Sequence, residues 1–291
     1  MRCVFCGLRH QDWAEKAWEY IDPDLFERYC RALGEWLPKC RMEIANRGEQ
    51  TFHPDFMRMI VMARTYIPKV QILVTTNTDL INVHGVEGFR DWIKQATTLG
   101  VNIFLLDCYT KKRLEVVRGV MEGMYGTYFE NDLGEGAEHI TPYGYHGPNY
   151  KAIVIKDATM APKESVLLQY HNQGNNANVQ DNPNALKMYP NVSTPAQPVE
   201  RMCIRPFREF PMWFDGSVPV CCDDWADQRI IGKFPDNSLP ELWDMYDDTR
   251  KNLLRKDRAA NGEPCKFCTE RAGFRWGLEK DWFATKGVTQ R

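Results

Sequence analysis

The chain has 291 residues, 43% of them hydrophobic and 26% charged, and a net charge of −2. This is the composition of an ordinary globular protein with material for a sizeable core. It gives no electrostatic ground for tight nucleic-acid binding, no apolar run approaches membrane-helix length, and the first residues hold no apolar signal region, so the simplest reading is cytoplasmic.

In chain order, Asp22-Pro23 reads as a helix start with proline at the first helical position, and Leu25, Phe26, Tyr29, Leu33 and Trp36 follow at helical spacing. "CRMEIANRGEQ" reads as a short buried strand ending at Gly48, and "HPDFMRMIVMARTYIP" as a helix. "VQILVTTN" is a strand rich in branched residues, "EGFRDWIKQATTLG" a helix closed by Gly100, "VNIFLLD" a strand and "KKRLEVVRGVMEGM" a helix. Residues from about 123 to 150 are rich in Gly, Tyr and His without clear period and read as an insertion or lid; His139, Tyr143, Tyr145 and His146 are its polar aromatic cluster, for which a solvated loop is the default. "YKAIVIKD" predicts a strand, and "SVLLQYHNQGNN" a strand running into a polar loop. Residues 175–200, rich in Asn, Gln and Pro, read as a linker before a cysteine-rich region at 201–291.

Five predicted strands alternating with helices imply βα units around a parallel sheet, in which functional residues sit at the C-terminal strand ends. Those ends carry Arg47-Gly48-Glu49, Thr75-Thr76-Asn77, Asp107-Cys108 and His171-Asn172-Gln173. Ten cysteines are many for this length, and in a reducing compartment clustered cysteines point to metal or redox chemistry. Seven of them fall at the N-terminal tip (Cys3, Cys6) and between residues 203 and 268 (Cys203, Cys221, Cys222, Cys265, Cys268); Cys30, Cys40 and Cys108 are scattered and read first as small buried hydrophobes.

"RCVFCG", followed by "ANRGEQTFHPDF" and "ILVTTNTDLI", resembles the radical S-adenosylmethionine enzymes, whose signature is C-x3-C-x2-C. Cys3 and Cys6 match its second and third cysteines; the first would fall upstream of Met1, together with the strand that precedes it, so the resemblance implies an N-terminus truncated before the first motif cysteine. It implies a partial (β/α)6 TIM-like barrel over residues 1–174, lacking its first strand, whose Cys3 and Cys6 ligate a catalytic [4Fe–4S] cluster. The open iron of such a cluster binds S-adenosyl-L-methionine, and one electron cleaves it to a 5′-deoxyadenosyl radical that takes hydrogen from substrate. Gly48 and Glu49 match the family's Gly-Gly-Glu stretch, with Arg47 in place of the first glycine, and with Thr76, Asn77 and Asp107 they are the implied cofactor-binding residues.

The C-terminal run "CIRPFREFPMWFDGSVPVCCDDW", then "IGKFPDNSLPELWD", then "CKFC", resembles a shortened SPASM extension, with G-x-V-x-x-C fitting Gly216 to Cys221. It implies one auxiliary [4Fe–4S] cluster on Cys203, Cys221, Cys265 and Cys268, with Cys222 as the substitute for Cys221. The implied substrates are a peptide or protein, a small molecule or a nucleobase adduct, and the implied electron donor is a flavodoxin or ferredoxin. A second reading stays open: a non-catalytic or degenerate iron–sulfur or zinc-binding protein, because C-x-x-C pairs and tetrahedral thiolate sites also suit zinc.

Overall fold

The structure, a computed structural model, describes residues 19–44, 48–126, 128–130, 137–140, 151–157, 202–224 and 227–268. Cys3, Cys6, His171-Asn172-Gln173, the expected strand that precedes them and the 175–200 linker lie outside these residues.

Helix α1 (Pro23–Trp36) starts where Asp22 caps it: the Asp22 carboxylate accepts the N–H groups of Asp24 at 2.7 Å and Leu25 at 3.2 Å, with Pro23 at the first helical position. Four strands then alternate with three helices: β1 (Arg41–Glu43), α2 (Phe56–Tyr66), β2 (Gln71–Thr76), α3 (Leu80–Leu99), β3 (Ile103–Cys108) and α4 (Lys111–Tyr125), with β4 (Tyr128–Glu130) and β5 (Ala137–Ile140) before β6 (Ala152–Asp157). β1, β2, β3 and β6 pair in parallel, in that order, and β5 and β4 extend the sheet antiparallel beyond β6. The region expected as an aperiodic insertion from about 123 thus begins inside α4 and contributes two strands, which find their register on β6 rather than in their own sequence pattern. Helix α3 starts earlier than its sequence pattern predicts and bends at Gly85, whose φ of 71° an L side chain rarely adopts.

Strand parity divides the sheet. Met42 and Ile44, Ile72 and Val74, Phe104, Leu106 and Cys108, and Ile153 and Ile155 join one buried cluster with Phe56, Ile60, Phe89, Ile93, Val117 and Met121 of α2, α3 and α4. The alternate positions Leu73, Leu105 and Val154 form a separate small cluster on the opposite face.

The C-terminal region carries a short helix α5 (Arg205–Arg208), a hairpin of β7 (Ser217–Pro219) and β8 (Ile230–Lys233), and helices α6 (Leu239–Asp244) and α7 (Asp247–Leu254). α6 begins with a reciprocal capping box between Ser238 and Glu241. This region shares the main core: Val218, Phe234, Leu242 and Tyr246 belong to the same buried cluster as the sheet. α1 is the shared wall, with Tyr29 edge-on to Phe234 at 5.9 Å and Trp36 edge-on to Phe210 at 6.0 Å and Trp243 at 5.9 Å. Among the described residues no helix is long and apolar enough to cross a membrane.

Candidate functional site at the strand ends and the cysteine cavity

Because β1, β2, β3 and β6 are parallel, their C-terminal ends meet at one edge. On the face away from the helices, parity places Glu43, Thr75, Asp107 and Lys156 at that edge, above the apolar floor of Leu73, Leu105 and Val154. The Thr75 hydroxyl donates to Glu43 Oε1 at 2.6 Å, and Lys156 Nζ stands 3.5 Å from Asp107 Oδ1. Burial pushes both the Glu43 and the Asp107 carboxyls above the usual carboxylate range, against the pull of Lys156. Glu209, from the segment after α5, adds negative potential at Glu43, which brings the C-terminal region to this face.

Two loops close over the edge. Gly48 has φ 96°, and among the described residues, its chain neighbours aside, nothing lies within 4 Å of where its Cβ would be, so the glycine serves conformation rather than space. The turn it permits aims Glu49 back across the sheet. Glu49 Oε1 accepts the Thr51 hydroxyl at 2.7 Å and the Thr51 N–H at 3.3 Å, capping the 3-10 turn Gln50–Phe52, while Oε2 accepts the Asn77 N–H at 2.9 Å. The Gln50 side-chain amide donates to the Thr75 carbonyl. Asn77 Oδ1 accepts the Asp79 N–H at 2.9 Å, and Thr78 takes a positive φ of 59°.

The second constellation lies in the C-terminal region. Cys203, Cys221, Cys265 and Cys268 line one small cavity, with Arg205 and Arg258 on its wall. Burial, with Cys221 and Cys268 close by, pushes the Cys203 thiol up to about 12, and burial also raises Cys265. Such a site favours four bare thiolates only when a cation compensates them, so the donor set fits an iron–sulfur cluster or a tetrahedral metal. Arg258, which is buried, donates to the Cys268 carbonyl at 3.1 Å and stiffens the wall. Cys222 does not line this cavity: its sulfur accepts from Arg205 Nη1 at 2.9 Å and donates to Glu209 Oε2 at 3.1 Å. Its bond with Cys221, with burial next, raises its pKa.

Of the residues expected at the cofactor site, Gly48, Glu49 and Asn77 are brought together, and Asp107 stands on the same edge two strands from β1. Thr76 lies on the helix side of the sheet, 1% exposed, with its hydroxyl oxygen accepting the Thr78 N–H at 3.1 Å. Cys30 and Cys108 are buried in the main core, as small hydrophobes. Glu43 and Lys156 were not singled out by sequence reasoning, nor were Arg205 and Glu209, and Thr75 was named only within the strand end Thr75-Thr76-Asn77. For Glu43, Thr75 and Lys156 a signal existed: counting by twos back and forward from the core positions of each strand puts them on the free face. For Arg205 and Glu209 no local signal exists.

No family model matches the chain, and no curated protein matches it. Among solved structures, BtrN in complex with AdoMet and 2-DOIA shares the fold with a TM-score of 0.56 and 17% identity, over 90% of this chain and 85% of that one. Selenomethionine BtrN in an open conformation matches with a TM-score of 0.51 and 14% identity, over 87% of this chain and 80% of that one.

Proposed function

We propose that the chain is a radical S-adenosylmethionine enzyme that abstracts hydrogen from a polar substrate held on the free face of the sheet. The observation that carries this reading is the bond from the Asn77 N–H to Glu49 Oε2, which ties together the two strand-end loops that the family resemblance assigns to the cofactor. The shared fold with BtrN, solved with AdoMet, supports the same choice of cofactor.

In this reading Cys3 and Cys6 hold the catalytic [4Fe–4S] cluster. That cluster would supply the electron, and bound S-adenosylmethionine the 5′-deoxyadenosyl radical. The chain's described residues do the positioning. Glu49 and Asn77 tie together the two strand-end loops that would receive the methionyl and adenosyl groups, Gly48 would let backbone approach them, and Thr76 fixes the loop at Thr78 from the helix side. Glu43, Thr75, Asp107 and Lys156 present acceptors and one cation to the substrate, which suits a molecule carrying hydroxyl or amino groups. Cys203, Cys221, Cys265 and Cys268, which line one cavity, would hold the auxiliary [4Fe–4S] cluster. An electron donor such as flavodoxin or ferredoxin completes the system.

The test is anaerobic reconstitution with iron and sulfide, then addition of S-adenosylmethionine and a reductant. Iron and sulfide bound in cluster proportion, with release of 5′-deoxyadenosine that Glu49→Ala diminishes, is the expected result. A colourless protein carrying stoichiometric zinc and releasing no 5′-deoxyadenosine overturns the proposal and leaves the zinc-binding reading.

A further inference from the structure

Cys221 and Cys222 are adjacent, and adjacent side chains leave the backbone in different directions. Cys221 enters the cavity with Cys203, Cys265 and Cys268; Cys222 does not. Yet the two sulfurs and an Asp223 carboxylate oxygen all lie within 4.8 Å of one another, so a modest rotation of this turn would exchange the two thiols. Arg205 stands against that rotation. Its Nη1 donates to Cys222 Sγ at 2.9 Å and to Glu209 Oε2 at 2.9 Å, and its Nε faces Asp223 Oδ2 at 3.2 Å. The Cys222 sulfur thus sits between the Arg205 guanidinium and Glu209 Oε2, 3.1 Å from the latter. On the other side of the turn, Cys221 Sγ accepts the Asp223 N–H at 3.3 Å.

We propose that Arg205 is a positioning residue that selects which of two adjacent cysteines completes the four-thiol set, holding Cys222 against Glu209 so that Cys221 faces the cavity. The planar fork of a guanidinium meets the sulfur and two carboxylates at once, which a single ammonium cannot do. The inference rests on reading the cavity as a metal site and is independent of the radical chemistry at the strand ends.

The test uses the full chain with Cys3→Ala and Cys6→Ala, free of metal and anaerobic, titrated with Co2+, whose thiolate charge-transfer absorption reads the number of sulfur ligands. The parent and Cys222→Ser give the same band, and Cys221→Ser loses about a quarter of it, one ligand of a tetrahedral four. Adding Arg205→Gln to Cys221→Ser restores the band, because the released Cys222 swings in; adding Arg205→Lys restores it only in part. Alkylation mapped by mass spectrometry gives a second readout: Co2+ protects Cys221 and leaves Cys222 reactive in the parent, and protects Cys222 in the Cys221→Ser, Arg205→Gln protein. Should Arg205→Gln alone bind no Co2+, Glu209→Ala opens the other arm of the clamp and gives the same exchange. Loss of the band in Cys222→Ser, protection of Cys222 in the parent, or no exchange on opening the clamp overturns the inference. If the Co2+ results hold while the chain with Cys3 and Cys6 intact, reconstituted with iron and sulfide, releases no 5′-deoxyadenosine, the proposed enzyme activity alone is defeated.

Discussion

The Glu49 carboxylate spans the gap between the ends of β1 and β2 and accepts the backbone N–H of Asn77 at 2.9 Å. With its other oxygen it caps the Gln50–Phe52 turn through Thr51, so one side chain satisfies both loops of the strand-end site. Glu49→Ala leaves three donors without their acceptor, in a half-buried setting. The expected loss is about 1–3 kcal/mol of stability in urea unfolding. On the proposed function, weaker S-adenosylmethionine binding in equilibrium dialysis is expected with it; an unchanged urea midpoint would mean that the loops are held by something else.

Asp107 gives a pH signature. Burial raises its carboxyl pKa in the folded chain above the ordinary carboxylate value. In the window between the two values the folded state binds more protons than the unfolded chain, so this group's contribution falls as pH rises through it. Asp107→Asn removes that slope. Thermal midpoints of the two proteins therefore converge near pH 4 and separate towards neutrality, with Asp107→Asn the more stable; a difference independent of pH contradicts this.

Gly216 is the glycine of the G-x-V-x-x-C stretch, and the fold shows why a side chain is excluded there. Its φ is 87°, and a Cβ would stand 2.2 Å from the Phe234 carbonyl oxygen. That contact is backbone, and the Gly216 carbonyl in turn accepts the Phe234 N–H at 2.9 Å, so the hairpin cannot give way cheaply. Gly216→Ala is expected to cost about 1–3 kcal/mol or more. Because β7 leads into Cys221, metal retained per chain after dialysis falls with it.

Tyr246 links the same hairpin to the helices behind it. Its hydroxyl, wholly buried, donates to the Pro219 carbonyl at 2.5 Å. Tyr246→Phe keeps the ring in the core and deletes only the donor, leaving a buried carbonyl unsatisfied, for about 1–3 kcal/mol. Denaturant unfolding measures it, and a neutral substitution would show that water enters the gap.

Much of the fold was legible locally. The Asp22-Pro23 start of α1, the stop of α3 at Gly100 and the apolar strands β2, β3 and β6 follow from short-range chemistry: a carboxylate capping orphan N–H groups, a left-handed residue at a helix end, branched side chains on a pleat. What failed was equally local in origin. Gly85 hid the first turns of α3, and nothing in the sequence of 128–140 shows strands whose ladder is supplied by β6.

The amino-acid sequence by itself determined the alternation of strands and helices, the strand-end positions of Glu49, Asn77 and Asp107, and the spacing of the C-terminal cysteines. Only the tertiary structure decided which face of the sheet the helices cover, and so that Thr75 and Glu43 rather than Thr76 face the open side. It alone decided that Cys221 and not Cys222 enters the cavity, and that one core, joined through α1, runs beneath both regions. The reason is physical: a period of two defines two faces without naming the covered one, and adjacent thiols are told apart only by partners such as Arg205 and Glu209 that folding brings to them.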